Sequence, residues 1–305
     1  MSIQFLEEMS APALDALDRA RTVLVLTVSP LEQHGPHLPL GVDAFSARYF
    51  AQSLAERLVA ARPGWTVVLA PTLHLGCFTF QAVGTVTVRQ RVVRDAVVDY
   101  GRSLAHAGFR YILVSNGHAG PGHLVALEEA AAIVSRRHRV MMASLSGHLV
   151  WEFRSGHYLA KLEATLGRLL SEEERQAFAE DAHGGWFETS VMLLLRPDLV
   201  HDDYRTLPAA RYSLSERLWP NYPLKNGGQG YVGHPALADP SFAKAALDVL
   251  MTEAMDVADG LLDGRIRPGA RRSPFSAIPL FRTNFWPAAG AVAGVLLIAA
   301  LWRRR

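Results

Sequence analysis

Three short stretches of the chain set histidines and carboxylates beside glycines. The first is Glu32-Gln33-His34-Gly35-Pro36-His37-Leu38-Pro39, followed by Asp43. The second is Asn116-Gly117-His118-Ala119-Gly120, and the third runs from Asp181 through His183-Gly184-Gly185-Trp186 to Glu188-Thr189-Ser190. Neutral imidazole with carboxylate is a donor set for Zn²⁺, Mn²⁺ or Fe²⁺. On extended chain Glu32 and His34 can reach neighbouring positions, and a later aspartate can return to bridge them. Cations held in that way activate water for hydrolysis. Other chemistries lack their signatures: there is no Gly-rich phosphate loop and no GxSxG elbow, and the single cysteine, Cys77, has no obvious partner histidine in sequence.

Taken singly, each residue has a structural reading. Asp43 stands where a helix N-cap would, Glu32 could be a solvated charge at a strand end, and His118 after Asn-Gly could be a turn residue. The recurrence of such clusters after successive elements is what points to a shared site. His74, His106, His123, His138, His148, His157 and His201 lie outside comparable clusters and are read as structural. His37 reads as a hydrogen-bonding support for the ligands. Of the tryptophans, Trp186 is the best candidate for a pocket wall because of its neighbours.

The elements that must position these residues alternate. Thr22–Val28, Thr66–Ala70, Thr85–Val88, Tyr111–Ser115 and Val140–Leu145 are apolar, β-branched runs that predict strands. Ala44–Ala61, Arg91–Ala107 and Gly122–Arg137 carry apolar residues at helical spacing, and Asp239-Pro240 opens a last helix with an N-cap and an N1 proline. The alternation predicts an α/β fold with a mostly parallel sheet covered on both faces. In such sheets the working residues collect beyond the carboxyl ends of the strands, where all three clusters fall.

A chain of 305 residues, 50% hydrophobic and 20% charged, can bury a substantial core, which excludes a disordered protein. One cysteine excludes a disulfide scaffold. The 31 basic and 29 acidic residues form no basic block in the body, so no nucleic-acid partner is expected. The body is assigned to residues 1–263 and a Pro- and Arg-rich linker to 264–284. The stretch 285–302 has no charge, is flanked by Trp286 and Trp302, and ends in three arginines. At about 1.5 Å per residue it can just cross a bilayer, so a single transmembrane helix is expected there. The N-terminus has no signal-peptide pattern, and Arg265, Arg267, Arg271, Arg272 and Arg282 outnumber the terminal arginines. Together these place the catalytic body in the cytoplasm, on a C-terminal tail anchor of the cell membrane.

The motif Glu32-Gln33-His34-Gly35-Pro36-His37-Leu38-Pro39 with Asp43, then Asn116-Gly117-His118, His183 and Glu188-Thr189-Ser190, resembles the creatininase (creatinine amidohydrolase) family. Gly230-Tyr231-Val232-Gly233-His234-Pro235-Ala236-Leu237-Ala238 resembles that family's GxxGxPxxA segment, and the likeness runs from about residue 20 to 260. The resemblance implies a three-layer α/β/α fold, two divalent metals (Zn, Mn or Fe) about 3.5 Å apart, and a homo-oligomer, often a hexamer. It implies that Asp43 bridges the metals, that Glu32 and His118 complete one site, and that His34 belongs to the other. Creatininase places a glutamate where this chain has Gly120, and Glu188 is the candidate replacement. His183 is assigned the proton transfer to the departing nitrogen, with Glu180 or Asp181 as a partner. Trp186, Cys77 and Ala119 are assigned to substrate binding.

Gly120, and Gln81 with Ala82-Val83-Gly84-Thr85 where many relatives carry a histidine before Phe-Pro-Gly-Thr, argue against creatinine as the substrate. The implied function is a metal-dependent amidohydrolase cleaving a C–N bond in an amide or cyclic amide. The alternatives are a peptidase that trims a small peptide precursor, as in mycofactocin maturation, and a non-catalytic membrane-tethered binding module. A small-molecule amide or short peptide is the substrate partner in the enzymatic readings.

Overall fold

Strand β2 (Thr22–Thr27) is buried along its whole length and shows how the layers are built. Val23 and Val25 face one helical layer, while Leu24 and Leu26 face the other. A strand covered on both faces needs apolar residues at every position, so its sequence is a continuous hydrophobic run. The computed structural model describes residues 2–291. Strands β1 (Ser2–Phe5), β2, β3 (Thr66–Leu69), β4 (Tyr111–Ser115) and β5 (Met141–Ser144) form one parallel sheet in the order β1-β3-β2-β4-β5.

The helices are α1 (Ala11–Asp15), α2 (Val42–Ala61), α3 (Gln90–His106), α4 (Pro121–His138), α5 (Ser146–Arg154), α6 (Leu159–Leu166), α7 (Glu172–Glu180), α8 (Trp186–Leu195), α9 (Leu214–Arg217) and α10 (Pro240–Leu262). Helices α3 and α4 pack Val93, Val97, Leu127 and Val134 against the face that carries Leu24, Leu26, Ile112 and Met142. Helices α2, α6 and α10 cover the other face, with Leu54, Leu58, Leu162 and Leu250 around Val23, Val67 and Leu113. This is the expected α/β/α sandwich with a parallel central sheet. Asp239 caps α10 as expected, its side chain accepting from the Ser241 amide.

The sheet differs from the predicted set of strands in two places. Strand β1 adds to the predicted strands: its four residues, three half-buried and one exposed, carry little periodic signal. Thr85–Val88 is not a strand; its apolar alternation is served by single backbone bonds, from the Val86 amide to Leu31 and from the Val88 amide to Gly76. The segment therefore braces the loops that follow β2 and β3. Residues 264–284, the expected Pro- and Arg-rich linker, lie along the body. The Ser273 amide and hydroxyl donate to buried Glu128, Gln90 donates to the Phe281 carbonyl, and Arg94 donates to Asn284. The transmembrane span expected at 285–302 lies outside the described residues from 292 onward; among the described residues no helix is long and apolar enough to cross a membrane.

Candidate metal centre

The chain runs from β2 to β3 on one side and then back past β2 to β4 on the other. The loops leaving β2 and β4 therefore diverge, opening the crevice in which parallel α/β sheets bind their ligands. The β2 loop carries Glu32 and His34, the first turn of α2 carries Asp43, and the β4 loop carries His118. Glu188 comes from the first turn of α8, and His183 from the loop before it. The structure thus brings together, from distant parts of the chain, every residue named above as ligand or proton carrier.

Asp43 lies at the centre. It is not an N-cap: Gly41 holds that position in α2, and both carboxylate oxygens of Asp43 are buried without a hydrogen-bond partner among the described residues. Oδ1 is 3.4 Å from His34 Nε2, and Oδ2 is 3.3 Å from His118 Nδ1. Glu188 Oε2 joins the first side at 3.6 Å from His34 Nε2, and Glu32 Oε2 joins the second at 3.1 Å from His118 Nδ1. Glu32, Asp43 and His118 could hold one cation, and His34, Asp43 and Glu188 another; Glu32, His34 and His183 also converge. One aspartate serving two such sets from its two oxygens is the geometry of a bridge.

The imidazoles are aimed by their outer nitrogens. His34 Nδ1 donates to the Glu32 carbonyl at 2.9 Å, which leaves Nε2 with its lone pair turned inward. His118 Nε2 donates to the Cys77 carbonyl at 3.2 Å, which frees Nδ1. Asn116 fixes the β4 loop: its amide donates to the His118 carbonyl, and its Oδ1 accepts from the His118 amide, from Ser29 and from His123. Such outer contacts set ligand tautomer and direction. His123, read as structural, is the fully buried brace behind Asn116, three residues past the motif.

Two glycines mark close approach. A Cβ at Gly117 would stand 2.2 Å from the Asp43 carbonyl oxygen, so the β4 loop can lie on α2 only without a side chain there. A Cβ at Gly120 would stand 2.4 Å from His118 Nε2 and 2.9 Å from the Phe78 carbonyl. That position has no room for a glutamate, while Glu188, the candidate replacement, brings a carboxylate from α8 to 3.6 Å from His34 Nε2.

Electrostatics fit a cation site. Burial opposes charge on every member, yet His34 is pushed up to about 10 by Asp43 and Glu188, and His118 is raised by Glu32 and Asp43. Asp43 is held far below the carboxylate range by the same histidines, against its burial. Three clustered carboxylates in a dry site demand positive charge, and buried charges persist only when paired or bound to metal. Divalent cations meet that demand while leaving the imidazoles neutral, so the residues present fit two metals. His183 differs: burial and neighbouring His34 push it down to about 4, so it is a neutral base stacked 4.1 Å from the His34 ring.

His183, Glu188 and Ala119 line a cavity of about 390 Å³ that opens beside the centre. Two assigned substrate contacts fall elsewhere. Trp186 is 2% exposed and stacks on Phe242 in the core, drawn there by its large apolar ring. Cys77 packs its side chain under the sheet, where burial pushes the thiol up to about 12, and reaches the site only through its carbonyl. Neither acidic candidate pairs with His183. Asp181 accepts from the Trp186 and Phe187 amides at the start of α8, Glu180 binds Arg211 and His234, and His183 donates to the Gln33 carbonyl at 2.7 Å. Phe78 and Phe80 line the cavity from the Gly76–Thr85 loop, whose sequence departs from the family's; Tyr222 joins them, an isolated aromatic that carries no spacing signal.

Residues 7–258 match the model of the family described as Creatininase: Creatinine amidohydrolase. The chain is 28% identical to the mycofactocin precursor peptide peptidase of Mycobacterium ulcerans (strain Agy99), over 80% of this chain and 85% of that one. It is 30% identical to the creatinine amidohydrolase of Pseudomonas putida, over 59% of this chain and 67% of that one. Among solved structures, a manganese creatininase aligns with a TM-score of 0.64 at 24% identity, covering 86% of this chain and 99% of the other.

Proposed function

The chain belongs to the creatininase family and is a hydrolase of carbon–nitrogen bonds, and on that premise we propose that its buried centre holds two divalent cations and directs water onto an amide carbonyl in the adjoining cavity. The observation that carries this reading is Asp43, with two unpartnered oxygens that each face a different histidine–carboxylate pair. A non-catalytic module would gain nothing from such a buried, unsatisfied carboxylate. Zn, Mn and Fe suit the mixed nitrogen and oxygen donors.

When bound, the cations lower the pKa of a water and polarise a carbonyl. The protein supplies the rest. Glu32, Asp43 and Glu188 bring the negative charge that retains the cations, while His34 and His118 present lone pairs fixed by their outer hydrogen bonds. His183 is neutral and faces the cavity; with Nε2 donating to Gln33, its Nδ1 is the nitrogen left to take a proton from the attacking water and pass it to the departing nitrogen. Phe80 packs edge-on against that ring at 4.8 Å and limits its motion.

Cleavage of an acyclic amide or short peptide fits better than cleavage of creatinine. It is supported by the size of the cavity, by the absence of a side chain at Gly120, and by the similarity to mycofactocin precursor peptide peptidases. The proposal includes membrane attachment through 285–302, supported by its charge-free sequence, with the body on the cytoplasmic side. It also includes self-association, supported by the exposed Leu214, Leu218 and Trp219 on and beside α9.

The test is an assay of the purified full chain on N-formyl amino acids, unblocked short peptides and cyclic ureides, before and after chelation. Cleavage of an acyclic amide that chelation abolishes and Mn or Zn restores is expected. Protein holding two metals that cleaves none of these would contradict the proposal.

A further inference from the structure

The cavity leading to the centre has aromatic walls and two guanidinium groups, and those groups ask for a partner. Phe80 packs at 4.8 Å on His183 and at 5.3 Å on Tyr222, so aromatic surface extends outward from the proton carrier. Arg154, the exposed last residue of α5, and Arg217, the half-buried last residue of α9, both line the cavity. Both lie near enough to the Tyr222 hydroxyl to act on it electrostatically.

Neither arginine has a carboxylate within 4.0 Å among the described residues. Arg154 donates only to the carbonyls of Asp181 and Ala182, at 2.7 and 3.2 Å, and Arg217 only to the carbonyl of Tyr212, at 3.1 Å. Other arginines on the surface are paired with carboxylates, such as Arg168 with Glu174 and Arg211 with Glu180. A guanidinium offers five N–H donors, so both groups keep several for a ligand. Among the described residues that line the cavity, Glu188 is the one carboxylate, and it is turned toward His34. The cavity thus combines one carboxylate beside His34, aromatic walls and two guanidinium groups that reach toward solvent.

We propose that Arg154 and Arg217 form a carboxylate clamp, and that the substrate is an amide with an aromatic or apolar body and a free carboxylate remote from the scissile carbonyl. An N-acylated amino acid and a short peptide with a free C-terminus share this chemistry. Guanidinium–carboxylate pairs give directional binding as well as charge, so the clamp sets which amide bond lies over the centre. The inference rests on reading the cavity as the substrate site of the hydrolase.

Titration calorimetry on the zinc-loaded full chain tests it without requiring turnover. N-acetyl-L-phenylalanine is expected to bind about tenfold more tightly than N-acetyl-L-phenylalaninamide, as charged hydrogen bonds worth about 1.5 kcal/mol or more imply. Arg217→Gln and Arg154→Gln should each remove most of that preference while leaving affinity for the carboxamide nearly unchanged, and Arg217→Lys should keep part of it. Replacing the acetyl group by glycine tells a peptide from an N-acyl amino acid by which carboxylate binds more tightly. Equal affinities, no measurable binding of the carboxylate, or a preference that survives in the Arg154→Gln/Arg217→Gln double variant would each overturn the clamp. The last result would mean that the carboxylate sits on the metals. Failure of the hydrolytic reading has a different appearance: a carboxylate amide bound through the arginines but not cleaved.

Discussion

At the scale of the residue, function depends on side chains left unsatisfied in a dry place. A buried carboxylate oxygen without a hydrogen bond is costly, and Asp43 presents two, each facing a histidine, at 3.4 and 3.3 Å. The donor types and their placement near Glu32, His34, His118 and Glu188 were legible in the sequence, because imidazole beside carboxylate and glycine is a rare pattern. The supporting contacts were not, since Asn116, His123 and the Cys77 carbonyl act through geometry that no spacing encodes. Asn116→Ala should weaken metal affinity by about 10- to 100-fold, the usual cost of losing an outer-shell partner. Competition with a chelator of known affinity would measure it. His183→Ala should retain the metals yet lose turnover by about 10²- to 10⁴-fold, the range of general acid–base catalysis. Turnover close to that of the wild type in this variant would remove His183 from proton transfer.

At the scale of the element, the site is a product of how closely two loops and two helices can approach. The five-stranded sheet was read for four of its strands because β2, β3, β4 and β5 are apolar on both faces. Strand β1 was too short to announce itself, and Thr85–Val88 has a strand-like pattern that tertiary contacts use otherwise. Trp186 illustrates a second limit: its neighbours in sequence point into the site, while its own ring is turned by α8 into the core. The approach of the β4 loop gives a sharp prediction. Gly120→Ala places a methyl group 2.4 Å from His118 Nε2, so the imidazole must turn away from its bond to Cys77. Weaker metal binding with little loss of overall fold is expected, read from metal content and circular dichroism together. Unchanged metal content would show that the loop relaxes without moving the histidine.

At the scale of the whole molecule, the segment after α10 joins the body to the region around 285. Its attachment at Glu128 depends on pH. Burial raises that carboxyl to about 7, from an ordinary 4.5, although the Ser273 bonds favour its charged form. The unfolded chain gives up this proton near 4.5 and the folded chain holds it to about 7, so the folded state binds more protons in between. The contribution to stability is therefore complete below about 4.5, falls as pH rises toward about 7, and stays low above it. Glu128→Gln keeps an acceptor for the Ser273 amide and cannot ionise. Its melting temperature relative to wild type should rise between pH 5 and pH 8, and a constant difference would count against this account. The same contact bears on truncation: a chain cut after residue 270 loses Ser273 and leaves Glu128 unpartnered, whereas one cut after 284 keeps both. The sequence did not reveal this attachment, because its prolines and arginines read equally well as a spacer.

The most direct test of the central claim is the metal content per chain of the purified full-length protein and of Asp43→Ala, by elemental analysis after passage through a chelating resin. Close to two equivalents of Zn, Mn or Fe in the wild type and near none in the variant is the predicted result, since both cations depend on the two oxygens of one aspartate. Two equivalents retained by Asp43→Ala, or a wild type that cannot be loaded beyond one, would contradict a centre bridged at Asp43.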